Sequence, residues 1–254
     1  MSWLTLPMGL TPAHACSYHP EQEARSLVVL EDTLLNPESY EKLLEYGFRR
    51  SGGLAYRPWC DQCRRCIPAR IPVAAFRANR SQRRALKVNQ DVQMSLCDSQ
   101  LSDEQYALYQ RYQQRRHAHG DMASSTKNQA QEFLSTVWNT VKYIEFRQAS
   151  RLLAVAVTDV HANSLSAVYT FFDPELDKRS LGVFAVLQQI EMARQWGLDW
   201  VYLGYWIPDS RKMAYKANFL PIEVKPPRRE LEEEQWIRLT DKAHRQKFLD
   251  EFVG

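Results

Sequence analysis

Three strand-like segments, then a helix and a further strand, restrict the fold of this chain more than any other feature. Tyr143 to Arg147, Leu152 to Asp159 and Ser164 to Phe172 are separated by turns at Ala149-Ser150 and His161-Asn163. Leu181 to Trp196 then carries Val183, Val186, Leu187, Ile190 and Ala193 at helical spacing, with Gly197 at the C′ position. A strand at Trp200 to Leu203, a helix over Ser210–Asn218, a strand near Pro221–Val224 and a helix around Asp241–Phe252 follow. A meander that feeds a helix and returns as a strand is an α+β arrangement, and it predicts one domain over residues 91–254.

Residues 1–90 form a second, smaller unit with a different texture. Pro7, Pro12 and Pro20 punctuate an irregular start, and Asn36-Pro37-Glu38 opens a helix that Gly47 ends. Leu54 to Arg57 is a short strand, and Pro68 and Pro72 exclude a helix from residues 66–77. Ser81 to Lys87 is read as a basic helix capped by Ser81. Beyond it come a strand at Asp91 to Cys97 and helices near Asp103–His119 and Asn128–Val137. Ser102 and Gln105 make a capping box for the first of these.

Charge is unevenly spread. The net charge of +3 says little, but residues 47–90 hold ten arginines and Lys87 against Asp61 alone. A field of that density steers a polyanion. Arg80, Arg83, Arg84 and Lys87 fall along one side of the basic helix, a ridge suited to a phosphate backbone. The chain has no apolar run of membrane-spanning length, and an odd count of five cysteines points to reduced thiols and a cytoplasmic setting. Three of those thiols, Cys60, Cys63 and Cys66, stand at three-residue steps inside the basic block. His117 and His119, two residues apart on a helix, are candidate bases or helix-terminal hydrogen-bonders that do not act as a pair.

Two resemblances follow from these residues. The element order over residues 141–225 resembles the catalytic half of the GNAT acetyltransferase fold, a mixed sheet with flanking helices. Arg179-Ser180-Leu181-Gly182-Val183-Phe184 stands where that fold binds a pyrophosphate, with Arg179 and Gly182 matching and Phe184 in a small-residue position. Such a ring argues against acetyl-coenzyme A as donor. The second resemblance rests on Cys16-Ser17-Tyr18, GFRRSGGLAYRPWC (Gly47–Cys60), IPVAAFRANRSQRRALKVN (Ile71–Asn89), RHAHGDM (Arg116–Met122) and LGYWIPDSRKMAYKANFLPIE (Leu203–Glu223). These stretches resemble the arginyl-tRNA–protein transferase family, in its leucyl-transferring bacterial branch.

That resemblance implies leucine carried by an aminoacyl-tRNA, transferred to the α-amine of proteins beginning with Asp or Glu and marking them for proteolysis. No membrane partner and no required cofactor are implied. Arg49, Arg57 and Arg70 are the candidates for holding the acceptor carboxylate, because a guanidinium does so bidentately. Tyr169, Asp173, Tyr205 and Lys212 are candidate catalytic groups near the ester. Arg179, Gly182, Trp206 and Lys216 join the basic helix as candidate tRNA contacts, with Tyr205 and Trp206 stacking on the terminal adenosine and Lys212 and Lys216 sharing a helix face. Relatives' cysteine motifs make Cys16, His19, Cys60 and Cys63 a possible structural zinc or iron–sulfur set, against the plainer reading of small packed side chains. Arginyl transfer to the same acceptors, and a zinc-stabilised RNA-binding module without catalysis, stay open as alternatives.

Overall fold

The computed structural model describes residues 6–116, 124–227 and 235–253. His117 and His119 lie outside the described residues. The first element is the short strand β1 (Met8–Leu10), followed by β2 (His14–Ala15), β3 (Glu23–Ala24) and β4 (Ser26–Val29). Helix α1 (Pro37–Glu45) starts as its sequence dictates: Asn36 accepts from the Ser39 amide while Ser39 returns the bond, and Pro37 fills the first turn. Next are β5 (Arg49–Ser51) and β6 (Leu54–Pro58), and together β1-β4-β6-β5 make a four-stranded antiparallel sheet. The opening thirty residues, expected to be irregular, therefore carry strands, which the distant partner β6 stabilises.

Strand β7 (Ile67–Pro72) and helix α2 (Arg80–Val88) follow. The cap of α2 is Asn79 with Gln82, two residues earlier than the Ser81 cap expected. Then come β8 (Gln93–Asp98), α3 (Asp103–Arg116), α4 (Lys127–Leu134), β9 (Val141–Gln148), β10 (Arg151–Val160), β11 (Ser164–Phe172), α5 (Leu181–Gln195), β12 (Trp200–Trp206), β13 (Ile222–Val224), β14 (Ile237–Leu239) and α6 (Lys242–Phe252). The Ser102–Gln105 capping box of α3 is present. The helix expected over Ser210–Asn218 is only a 3-10 segment, Ala214–Asn218.

One mixed sheet of eight strands runs β14-β13-β7-β12-β11-β10-β9-β8. Strand β7 lies inside this sheet, between β13 and β12, although it precedes residue 90. Core side chains of α5 such as Phe184, Leu187 and Ile190 cover one face together with α2 and α6. Each such fully buried side chain contributes about 1.5–3 kcal/mol. Helices α3 and α4 cover the β9–β11 part of the other face, and the four-stranded sheet packs over Tyr202 beside them. Arg50 of β5 locks the two sheets, donating to both oxygens of Asp159 on β10 and to the Leu134 carbonyl, in a fully buried ion pair.

Candidate functional site

Among the described residues only β11 and β12 pair in parallel, and their ladder ends early. It joins Ser164 to Trp200, Leu165 to Val201 and Ser166 to Tyr202, then stops. Just beyond, each strand carries one extra residue: Val168 against β10 and Leu203 against β7. Paired bulges re-aim both strands, so they part here, and the space between the parted ends is the candidate cleft. Residues 167–170 of β11 are half-buried, as befits a cleft wall. Gly204, at φ +81°, supplies the left-handed turn that the β12 bulge requires.

Two cations meet at the root of this cleft. Arg49, on β5, donates from Nη2 to the Ala167 carbonyl at 3.1 Å, and Lys216 Nζ donates to the Tyr205 carbonyl at 3.0 Å. A side chain at Gly204 would begin 3.4 Å from Arg49 Nε and 3.6 Å from Lys216 Nζ, so the two charges flank one glycine. Arg49 is 7% exposed and Lys216 9%. Among the described residues neither has a carboxylate within ion-pairing distance, and Arg49 Nη1 is buried without a hydrogen-bond partner. Burial, and next the charge of Arg49, lowers Lys216 from 10.5 to about 7.

Neutral groups complete the surroundings. Tyr205 OH donates to the Gly47 carbonyl at 2.8 Å, and its ring lies 6.2 Å from that of Tyr56. Burial holds both phenols above their ordinary value, so neither serves as a base. The Cys66 thiol is pushed up to about 12 by burial, then by Cys60, Cys63 and Cys16. Burial likewise raises Cys60. Arginine neighbours therefore do not activate these thiols as nucleophiles.

The expected site residues divide. Arg49, Tyr205 and Lys216 come together at the cleft root, and buried Arg57, with its guanidinium 5.7 Å from the Trp59 ring, lines an adjoining cavity with Cys60, Cys63, Cys66 and Tyr205. Arg70 is taken: it donates to Glu223 at 2.9 Å and to Tyr202 OH, with Trp200 and Trp236 stacked at 3.7 and 4.3 Å. Trp206 is 2% exposed and packs 6.4 Å from the Phe248 ring, so it does not stack on a base. Successive strand residues face opposite ways, and Tyr205 takes the site side. Lys212 is exposed where Lys216 is buried, so the two do not share a face. Tyr169 turns toward α3, its hydroxyl accepting from Gln113 at 3.1 Å among Tyr109, Tyr112 and Phe133. Asp173 caps the outer end of β11, bound to Arg151 at 2.6 Å in a cleft of about 410 Å³ against α3.

The basic ridge forms as expected. Arg80, Arg83, Arg84 and Lys87 are exposed, while Gln82, Ala85 and Asn89 face inward. Asn89 donates to the Arg179 carbonyl, and Arg179 pairs with Asp91 at 2.8 Å, which fixes the ridge beside the start of α5. There Gly182 has Phe172 3.4 Å from its would-be side chain. The Phe184 ring packs instead on Phe146 in the core, at 5.5 Å, so its bulk does not crowd that helix start as expected. His19 faces Asp209 at 3.3 Å rather than Cys16, Cys60 and Cys63, and no set of three or more metal-ligating side chains is arranged among the described residues. No described helix is long and apolar enough to cross a membrane.

Nothing in the sequence pointed to the Ala167 carbonyl or to Tyr56 as parts of the site, and Cys66 stood out only as one of three evenly spaced thiols, since only the tertiary pairing assembles them.

Comparison with known proteins matches residues 14–84 to the N-terminal model of arginine-tRNA-protein transferase and residues 104–225 to its C-terminal model. The aspartate/glutamate leucyltransferase of Pseudomonas fluorescens is 48% identical over 84% of this chain and 91% of its own. That of Teredinibacter turnerae is 46% identical over 86% and 90%, and that of Hahella chejuensis 45% identical over 92% and 98%. Among solved structures, FemX aligns at 8% identity over 82% of this chain and 81% of its own, with a TM-score of 0.45.

Proposed function

The chain belongs to the arginine-tRNA-protein transferase family, and from that premise we propose that it is an aminoacyltransferase moving leucine from Leu-tRNA to the α-amine of proteins that begin with Asp or Glu. One observation carries the acceptor side of this reading. Arg49 and Lys216 are buried together with no internal carboxylate among the described residues, whereas the equally buried Arg50 and Arg70 hold Asp159 and Glu223. A buried cation costs several kcal/mol unless an anion compensates it. The side-chain carboxylate of the acceptor is that anion, with Arg57 in the adjoining cavity wall. Arg70 is left to its structural pair.

The donor side rests on the exposed ridge of Arg80, Arg83, Arg84 and Lys87, which suits the acceptor-stem phosphates. With the carboxylate at the cleft root, the acceptor's α-nitrogen lies two carbons (Asp) or three carbons (Glu) away in the splay. It attacks the aminoacyl ester carbonyl. The new C–N bond forms, the C–O bond to the terminal ribose breaks, and the ribose oxygen leaves with the proton the nitrogen gives up. Neither a covalent enzyme intermediate nor one of the high-pKa thiols is required, so positioning supplies much of the rate.

Residues 1–90 and 91–254 are the two functional halves in this scheme, the first bringing Arg49, Arg57 and the ridge, the second bringing Lys216 and the splayed strands. The test charges tRNA with labelled leucine or arginine and offers peptides beginning with Asp, Glu, Asn and Ala. Leucine transfer to Asp and Glu peptides alone is the expected result. Arginine transfer, or binding of tRNA without turnover, would replace this reading with one of its alternatives.

A further inference from the structure

The acceptor's α-amine arrives largely as an ammonium, since its ordinary pKa of about 7.7–8.0 lies above neutrality. It must lose a proton before it attacks. At the cleft root Lys216 is the group placed to receive it. It stands across Gly204 from Arg49, and among the described residues its Nζ donates only to the Tyr205 carbonyl and no acid lies within ion-pairing distance. The other titratable groups facing it are the Cys66 thiol and, beside the same pocket, the Tyr56 and Tyr205 phenols. All three are held protonated and neutral by burial, so none competes for the proton.

Building on the carboxylate site above, we propose that Lys216 takes the proton from the acceptor's α-ammonium, and that the acceptor's own side-chain carboxylate drives the transfer by pairing with the lysine ammonium so formed. The balance is simple. A neutral lysine and an α-ammonium become a lysine ammonium and a neutral amine, and no oxidant, metal or further reactant enters. In the empty cleft, burial and then the Arg49 charge disfavour a second cation, which leaves Lys216 titrating near 7. A bound carboxylate reverses that preference. Acidic acceptors thus generate their own nucleophile, whereas an acceptor beginning with Asn or Ala brings no charge to hold the proton on Lys216. Selectivity and activation share one side chain.

The decisive variant is Lys216→Arg, which keeps a cation for the carboxylate but does not exchange a proton at any working pH. At pH 7, kcat should fall about 10-fold, the shortfall of neutral amine at that pH, with KM for an Asp peptide little changed. By pH 9 the acceptor amine is neutral unaided, and the gap should close to about threefold. Full kcat at pH 7, or a loss of the same size at both pH values, would overturn the proposal. Should the variant fail to fold, the Lys216 side-chain amine is titrated by NMR in the unaltered chain, with and without acetyl-aspartate. A titration near 7 that moves upward with the ligand supports the transfer, and one that does not move refutes it. Arg49→Gln separates this inference from its foundation. If Arg49→Gln and Lys216→Arg both leave the preference for Asp over Asn peptides intact, the carboxylate site itself is misassigned. If Arg49→Gln erases the preference while Lys216→Arg keeps full kcat at pH 7, only the proton transfer fails.

Discussion

Lys216→Met should stabilise the protein while abolishing transfer. Unfolded, the lysine holds its proton to 10.5; folded, it loses it near 7. Each unit of difference is worth about 1.4 kcal/mol, so at pH 7 burying this lysine costs about 4 kcal/mol. Methionine removes that cost and fills similar volume, but it leaves the Tyr205 carbonyl without its donor, a loss of about 1–3 kcal/mol. The expected net gain at pH 7 is about 1–3 kcal/mol. The pH dependence is the sharper signature. Between 7 and 10.5 the unfolded chain binds the extra proton, so the stability of the unaltered protein rises with pH through that window. From pH 7 to pH 9 it should gain about 2 kcal/mol on Lys216→Met. Urea unfolding of both proteins at pH 7, 8 and 9 measures the difference directly. A stability gap that stays constant across the series would mean that Lys216 is not depressed, and the electrostatic account of the cleft root would fail with it.

Other changes probe the remaining elements. Asp159→Asn breaks a fully buried pair and strands Arg50, so it should destabilise the chain by about 3–5 kcal/mol in the same unfolding assay. Trp206→Ala should cost about 3–5 kcal/mol as a core cavity, and tRNA affinity measured on the folded fraction should be unchanged. Replacing Arg80, Arg83 and Arg84 by Ala should weaken tRNA binding and make the log–log salt slope shallower by about 2, read by filter binding across a salt series. His161 is buried with its pKa lowered by desolvation, so it folds neutral. Stability should therefore fall as pH drops below about 6.5, and His161→Phe should lose part of that acid sensitivity in thermal melts at pH 7 and 5.5.

Local signals were legible, and long-range ones were not. Asn36-Pro37 and Ser102–Gln105 announce their helices because capping bonds close within three residues. The same logic picked Ser81 where Asn79 wins, because Asn79 with Gln82 offers the reciprocal capping box. Strand β7 enters the large sheet between β13 and β12, partners more than a hundred residues away, and nothing in IPARIP states that. Arg49, Arg57 and Arg70 are alike as residue types near strands. Their fates differ because Glu223 reaches Arg70, while among the described residues no acid reaches Arg49. The expected helix over Ser210–Asn218 gave Lys216 a solvent-facing role beside Lys212. As a short 3-10 segment it turns Lys216 inward to the Tyr205 carbonyl.

That carbonyl explains why the cleft holds cations at all. When the β11–β12 ladder stops at Ser166 and Tyr202, the carbonyls of Ala167 and Tyr205 are left beside the splay and need donors. A serine hydroxyl, an asparagine amide or a water would satisfy them without any charge. Arg49 and Lys216 satisfy them with a buried guanidinium and a buried amine 3.4 and 3.6 Å from the same glycine position, and the Arg49 charge opposes protonation of Lys216. Backbone satisfaction alone does not account for that choice, because neutral donors do the same work without the desolvation cost. The proposed acceptor carboxylate would account for it: the carbonyls hold both side chains in place while the cleft is empty, and the carboxylate compensates Arg49 and the protonated Lys216 when it is filled. Gly204 then has a second duty beyond its φ of +81°, since any side chain there would occupy the space between the two cations that the carboxylate must enter.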